Sequence, residues 1–106
     1  MTHPIRFTPH VAFVGVEPSA PLREYAENKV GAVLGEDVTA CRVALEAHGA
    51  HFRAKVEVDL PHAKIVVGSS REPVVDLYAA IDASAEEAKV ALHEHARRAR
   101  SQRKAV

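Results

Sequence analysis

The clearest pattern in the chain is the stretch FRAKVEVDL at residues 52–60, in which apolar and charged side chains alternate without a break. Successive side chains of a β-strand point to opposite faces, so this alternation gathers the apolar residues on one face and the charged residues on the other. We therefore predict a strand in a sheet whose apolar face is covered. The charged face would contact water or a partner rather than a second layer.

Two similar segments flank this strand. Residues 37–47 and 63–68 are both rich in small and β-branched residues and also alternate between apolar and polar positions. The sequence HGAH at residues 48–51 and the pair Pro61-His62 are typical of turns. We therefore predict three antiparallel strands in series, joined by short connections.

The first twenty residues contain two short apolar segments, residues 5–7 and 11–16, bracketed by Pro4, Pro9 and Pro18. Proline lacks the backbone N–H that a central strand needs, so a segment of this kind is favoured at a sheet edge. We predict a short, interrupted edge strand. Such an edge resists strand addition, and we therefore expect a monomer.

A first helix is predicted between this edge strand and residues 37–47. Ser19 can cap it by accepting a hydrogen bond from an unpaired backbone N–H, and Pro21 suits the first turn, where a missing donor costs little. Apolar residues follow at helical spacing. Gly35 is predicted to end the helix, because glycine readily adopts positive φ.

A second, longer helix is predicted to open at Pro73. Its apolar positions step by three, four or seven residues and are Val74, Leu77, Tyr78, Ile81, Ala85, Ala88 and Leu92. Tyr78 is predicted to pack in the core with its hydroxyl at the rim. No large apolar side chain follows Leu92 until Val106, so we expect the last turns to project or fray.

Together these elements predict an α+β fold, a two-layer sandwich of order β-α-β-β-β-α. Its four-stranded sheet carries both helices on one face. We interpret residues 1–106 as a single domain, in which residues 1–3 and about 101–106 are expected to be flexible.

The charge of the chain is unevenly distributed. Fourteen basic and fourteen acidic side chains give a formal net charge of zero. Residues 1–92 contain nine basic and thirteen acidic side chains, a net charge of −4, whereas residues 93–106 contain five basic and one acidic, a net charge of +4. This asymmetry suggests a basic arm that binds phosphates or an acidic partner.

Composition also argues against several classes of protein. The single cysteine excludes a disulfide framework and fits a reducing cytoplasm. The longest apolar run, residues 11–16, is far shorter than the roughly 20 residues that a membrane helix needs, and no signal-sequence pattern precedes it. No glycine-rich phosphate loop or nucleophile elbow is present, so we expect no enzyme activity, no catalytic residues, no cofactor and no small-molecule substrate.

Seven histidines raise a metal-binding hypothesis. His48, His51 and His62 lie at neighbouring turns, and His93 and His95 lie near the C-terminal end. Their spacing matches no recognised ligand pattern, and structural zinc in a cytosolic domain usually recruits several cysteines. We therefore predict no metal site and keep metal binding as the least favoured alternative.

Two stretches carry a resemblance to a known family. The sequence DLYAAID at residues 76–82 resembles the family's signature at the start of its second helix, and LREY at residues 22–25, followed by Lys29, resembles its first helix. On these residues the chain is similar to the short-form ribosome hibernation promoting factors and ribosome-associated inhibitors, the S30EA-like or sigma-54 modulation proteins.

The resemblance implies a fold like that of double-stranded RNA-binding domains. It also implies docking on 16S rRNA of the small ribosomal subunit, in the decoding region where mRNA and tRNA would lie, with translation blocked in stationary phase or stress. Long members of the family add a C-terminal dimerisation domain, so the chain resembles the short form. The alternative function is a diverged protein-interaction module that uses the half-polar sheet face.

A stripe of basic residues on the second helix is the main candidate site. Lys89, His93, Arg97, Arg100 and Lys104 are spaced by four, four, three and four residues and therefore share one face. The stripe lies about 100° around the helix from the buried positions. With the neighbouring cations and the family-matched positions of the first helix, the predicted rRNA-binding residues are Arg23, Lys29, Lys89, His93, Arg97, Arg98, Arg100, Arg103 and Lys104.

The chain departs from the family where relatives commonly carry basic residues. Glu87, Val90, Glu94 and Ala96 occupy such positions in the second helix, and Ala32 does so in the first. A carboxylate repels rRNA phosphates, so we expect modest affinity or a displaced contact. The alternative interpretation of the stripe is a solvated basic helix end, in which Glu94 pairs with Arg98.

Overall fold

The computed structural model describes residues 8–35, 37–68 and 76–104, with side chains described up to residue 99. The strands are β1 (His10–Val14), β2 (Ala40–His48), β3 (His51–Leu60) and β4 (Ala63–Gly68), and the helices are α1 (Ala20–Gly31) and α2 (Leu77–Lys104). The predicted β-α-β-β-β-α order is confirmed. The predictions for residues 5–7 and for Pro73 lie outside the described residues. None of the helical segments described is both long and apolar enough to span a bilayer.

The four strands form one sheet in the order β1-β2-β3-β4. The three strands β2, β3 and β4 run antiparallel to one another, as predicted, whereas β1 runs parallel to β2. Parallel neighbours need a crossover connection, and α1 supplies it. Gly15, at a φ of 69°, follows β1, which ends at Val14 rather than at the predicted Val16.

The apolar face of the sheet is built from residues that lie opposite one another across the strands. Val43 pairs with Val56 and Leu45 with Ala54, and all four side chains are at most 1% exposed. The alternation of residues 52–60 therefore has its predicted consequence, because the apolar positions of β3 face the helices and its charged positions do not.

Tight turns fix the register of the antiparallel strands. His48 and His51 are the last paired residues of the β2–β3 hairpin, so only two residues connect the strands. Gly49 has a φ of 63°, which a side chain would disfavour. The β3–β4 connection is equally short, with Leu60 paired to Ala63.

α1 begins as predicted and ends earlier. The Ser19 hydroxyl accepts a hydrogen bond from the Leu22 backbone N–H at 3.4 Å, and a proline lies in the first turn. The prediction that Gly35 ends the helix is wrong, because α1 ends at Gly31 and its C-cap residue Ala32 has ordinary right-handed angles. The turn that follows is tighter than an α-helical turn, because the Val33 N–H donates to the carbonyl of Val30, three residues earlier.

α2 packs on β3 and β4, and α1 packs against α2 and β1, so both helices cover the same face of the sheet as predicted. The inward side of α2 includes Ile81 and Ala88, which are fully buried, and Ala85, which is 5% exposed. Leu92 is half-buried against this core. Beyond it, α2 continues for three more turns to Lys104.

Candidate nucleic-acid interface

The exposed side of α2 presents cations next to its buried side. Lys89 follows the fully buried Ala88 directly, and Lys89, His93 and Arg97 are all exposed. Consecutive helical residues differ by about 100° around the axis, so the helix packs inward while this flank faces solvent. We call these three residues the basic flank. Arg98 is also exposed, and Arg100, Arg103 and Lys104 occupy later positions of the same helix.

One cation of the basic flank already has a counter-ion. The Nη2 group of Arg97 donates to both carboxylate oxygens of Glu94, each at 2.9 Å. The alternative interpretation paired Glu94 with Arg98, and that pairing is wrong. Both spacings place the side chains on neighbouring turns, and the geometry selects the closer one, at i and i+3.

The two helices are joined by a cluster of polar and aromatic side chains that we call the helix junction: Tyr25, Lys29, Tyr78 and Asp82. The Tyr25 hydroxyl donates to Asp82 Oδ1 at 2.7 Å, and the Lys29 ammonium lies 3.7 Å from the same oxygen. The ammonium is also 5.7 Å from the centre of the Tyr25 ring. A single carboxylate on α2 therefore fixes two side chains of α1.

Tyr78 completes the helix junction from the surface side. Its ring meets that of Tyr25 edge to face, with centroids 4.8 Å apart and planes at 76°. Tyr78 is 39% exposed, so the prediction that it packs in the core is wrong. Its backbone N–H donates to Asp76 Oδ1 at 3.0 Å, which caps the start of α2.

The electrostatics of the helix junction follow from its central carboxylate. The hydrogen bond to Asp82 raises the pKa of Tyr25 above its ordinary value of 10.0, and desolvation and the negative charge of Asp82 act in the same direction. Tyr25 therefore keeps its proton, and with it the bond between the helices, to alkaline pH.

The two candidate cations of α1 lie on different sides of the helix. Lys29 faces α2 through Asp82, whereas the Arg23 guanidinium lies 5.4 Å from the ring centre of Phe13 in β1. The structure therefore places Lys29 between the helices and Arg23 above the β1 edge of the sheet. Lys89 lies seven residues beyond Asp82, about two turns along the same face of α2.

Sequence reasoning did not identify Asp82 as the residue that joins the helices. Its bond to Tyr25 spans 57 positions. The only sequence signal was its place in the DLYAAID signature, where an acidic residue follows the buried Ile81 directly.

The uncovered face of the sheet is also charged. The Arg42 Nε–H donates to Glu57 Oε2 at 2.7 Å, and Arg42 Nη2 contacts both carboxylate oxygens of Asp59. Lys64 lies 3.9 Å from each of these acids. The hydrogen bond from Arg42 lowers the pKa of Glu57, which favours the ionised form of this carboxylate. Glu57 and Asp59 are both paired with cations, whereas on the basic flank Arg97 alone is seen paired among the described side chains.

The histidines and the cysteine do not combine into a site among the residues that the structure describes. His48 lies 3.2 Å from Glu46, and no three His, Cys, Asp or Glu side chains of the described ranges could hold a metal ion. Cys41 is buried on the apolar face, and desolvation raises the pKa of its thiol to about 11. The thiol is therefore protonated and unreactive at neutral pH.

Comparison with protein families identifies the class. Residues 10–100 match the model of the family described as sigma 54 modulation protein / S30EA ribosomal protein, and the chain therefore belongs to that family. This is a family of ribosome-associated modulation proteins, as the resemblance in α1 and α2 implied. No curated protein is similar enough in sequence to count as a relative.

Solved structures agree with the fold. A ribosomal subunit interface protein from Coxiella burnetii is similar with a TM-score of 0.70 and 19% identity, over 81% of this chain and 96% of that one. The N-terminal domain of Protein Y from Thermus thermophilus is similar with a TM-score of 0.70 and 26% identity, over 84% of this chain and 99% of that one. These matches confirm the two-layer α+β architecture.

Proposed function

We propose that the protein binds the small ribosomal subunit in its decoding region, through 16S rRNA, and blocks mRNA and tRNA binding when growth slows. It acts by binding and not by chemistry, in the cytoplasm where ribosomes are, and it is a monomer away from the ribosome. Membership of the S30EA family supports ribosome association. The name of the Coxiella burnetii neighbour, a ribosomal subunit interface protein, points to the same partner.

The observation that carries the proposal is the basic flank. Lys89, His93 and Arg97 are exposed along one side of a helix whose other side is buried in the core, so they meet a partner without any change of fold. A guanidinium holds two phosphate oxygens at once, and an ammonium adds a strong point charge. The helical backbone continues to Lys104, which extends the row of cationic positions beyond the body.

The helix junction would extend this surface towards α1. Lys29 is half exposed while it contacts Asp82, so its ammonium can also meet a phosphate. Lys29 and the basic flank then lie on the same α1–α2 side, with the exposed Glu86 between Asp82 and Lys89 on that face of α2. Arg23, above the β1 edge, belongs to this surface only if the rRNA also wraps around α1.

The alternative function, a protein-interaction module, rests on the uncovered sheet face. Val14 and Val66 are 52% and 50% exposed there, and Val66 lies opposite Glu57 of the Arg42 network, whereas Val14 lies opposite Glu46. Mixed charge with exposed apolar side chains resembles the surface of a protein interface more than that of a nucleic-acid interface, which is strongly positive.

Sedimentation with purified small subunits across a salt series separates the two functions. If about five phosphates are contacted, the logarithm of affinity falls against the logarithm of salt with a slope of roughly 3.5 to 4.5. The variant Lys89→Ala/Arg97→Ala should weaken binding and reduce that slope by roughly 1.4 to 1.8.

The matched control is Lys55→Ala/Lys64→Ala, which removes two exposed cations from the uncovered sheet face. We expect it to keep the wild-type slope. If the control reduces the slope and Lys89→Ala/Arg97→Ala leaves it unchanged, the RNA-binding site lies on the uncovered sheet face and not on the basic flank. No sedimentation of the wild type with small subunits, even at low salt, would overturn the proposed function.

A further inference from the structure

Glu94 lies beside the basic flank and is hydrogen-bonded to Arg97, one of its three residues. Its two oxygens each accept a hydrogen bond from the same nitrogen of Arg97, at 2.9 Å. A phosphate that uses Nη2 of Arg97 competes with Glu94 for it, because both ligands are anions whose oxygens accept from the guanidinium. A phosphate bound through the other N–H groups of Arg97 would still be repelled by the neighbouring carboxylate.

Replacing Glu94 by a phosphate at Arg97 costs little free energy because the ion pair is exposed. The Arg97 side chain is 70% exposed and that of Glu94 is 44% exposed, so both groups are hydrated and their attraction is screened. Exposed ion pairs typically contribute about 0.2 to 1 kcal/mol, which corresponds to a factor of roughly 1.4 to 5 in an equilibrium constant. The pair thus attenuates binding without preventing it.

We infer that Glu94 is a built-in competitor of phosphate for Arg97 and sets the affinity of the basic flank for RNA. This inference rests on the proposed function and names the residue that limits it. The neutral variant Glu94→Gln keeps the size of the side chain and removes its charge. It should bind small subunits roughly 1.4 to 5 times more tightly than the wild type at fixed salt.

The chain offers a matched control in Glu87. It lies seven residues before Glu94, about two turns away on the same face of α2, and it is exposed. Glu87→Gln therefore changes the net charge of this helix face equally, and within the described residues it breaks no ion pair with Arg97. A purely general electrostatic effect would make the two variants equivalent.

The test compares five proteins in the sedimentation assay: wild type, Glu94→Gln, Glu87→Gln, Arg97→Gln and Glu94→Gln/Arg97→Gln. The inference expects Glu94→Gln to tighten binding more than Glu87→Gln, and Arg97→Gln to abolish the effect of Glu94→Gln. Equal gains in the two glutamate variants would overturn it. So would a gain from Glu94→Gln that persists when Arg97 is absent.

A second assay distinguishes failure of the proposed function from failure of the inference about Glu94. The same five proteins are titrated into a fluorescent single-stranded RNA oligonucleotide, which offers phosphates without a ribosome, and anisotropy reports binding. If the wild type binds the oligonucleotide but not small subunits, the proposed function fails while the competition is still tested. If Glu94→Gln and Glu87→Gln then behave alike on the oligonucleotide, the inference fails as well.

Discussion

Two places on α2 bring a carboxylate and a cation together, and they serve different purposes. At the helix junction, Asp82 contacts Lys29 at 3.7 Å and accepts a bond from Tyr25 across 57 positions of sequence. Near the end of α2, Glu94 contacts Arg97 at the shorter distance of 2.9 Å, but within one turn of one helix. The longer contact joins two elements of the fold, whereas the shorter one only adjusts the charge of a surface. Distance alone therefore does not rank the importance of an ion pair.

The largest expected effect tests the division of α2 into positions that pack in the core and positions that lie at the surface. Ile81, which directly precedes Asp82, is fully buried, and Ile81→Ala should lower the free energy of unfolding by about 2 to 5 kcal/mol. Val90 is 52% exposed, and Val90→Ala should change stability by no more than about 0.5 kcal/mol. Urea denaturation measures both. Similar losses in the two variants would contradict the division of α2 into a structural and a surface part.

A smaller expected effect tests the hydrogen bond between Tyr25 and Asp82, which joins the two helices, by its dependence on pH. Because the pKa of Tyr25 is raised in the fold, its protonated form adds stability below the ordinary value of 10.0, and this stability is lost as pH rises through the raised pKa. In Asp82→Asn the Tyr25 pKa should fall towards 10.0. Tyrosinate absorbance reports it, in a Tyr78→Phe background that leaves Tyr25 as the only tyrosine.

Asp37→Asn is the control for this titration, since Asp37 is an exposed carboxylate on the α1–β2 connection. We expect it to leave the Tyr25 pKa unchanged. The stability difference between wild type and Asp82→Asn should also shrink above pH 10.0, as the hydroxyl loses the proton that it donates. A difference that is constant across this range would show that Asp82 stabilises the fold without Tyr25.

The smallest effect concerns the second ion pair. Glu94→Gln should change the free energy of unfolding by less than about 0.5 kcal/mol, because an exposed pair within one helix contributes little. Thermal unfolding followed by circular dichroism measures it. A larger loss would mean that Glu94 supports the fold, and the comparison between the two ion pairs would fail.

Local patterns in the sequence predicted the sheet well. The alternation of residues 52–60 predicted β3 and its buried face, and the predicted third strand, residues 63–68, coincides with β4. Strand alternation is a local property that the buried face enforces at every second residue, so it is readable without tertiary information. The Ser19 cap was also predictable, because it is a contact between residues only three positions apart in the sequence.

Features that depend on tertiary packing were harder to predict. Gly35 is a typical helix-ending residue, but α1 ends at Gly31, and Val33 and Leu34 beyond it are partly buried against the core. Tyr78 follows helical spacing, yet it lies at the edge of the inward face and meets Tyr25 at the surface. Helical spacing alone allowed Glu94 to pair with Arg97 or Arg98, and side-chain conformation decides between them.

The candidate site was predicted in part. The exposure of Lys89, His93 and Arg97 follows from their offset from the buried side of α2, which the sequence shows. The separation of Arg23 from Lys29 also follows, since six residues place them about 120° apart around a helix, but the neighbours that each of them contacts do not. Those neighbours are Phe13 on one side and Asp82 on the other.

The length of α2 also affects how the protein meets an anion from a distance. From Leu92 to Lys104 the helix extends about 18 Å, and residues 93–106 carry a net charge of +4 against −4 for the rest. At physiological ionic strength charges are screened over about 8 Å, so an approaching polyanion senses the helix end and not the acidic body. The chain has no net charge but therefore behaves as an electric dipole, and the end of α2, which is its positive end, turns towards the polyanion. Electrostatic steering then orients the encounter before any specific contact forms.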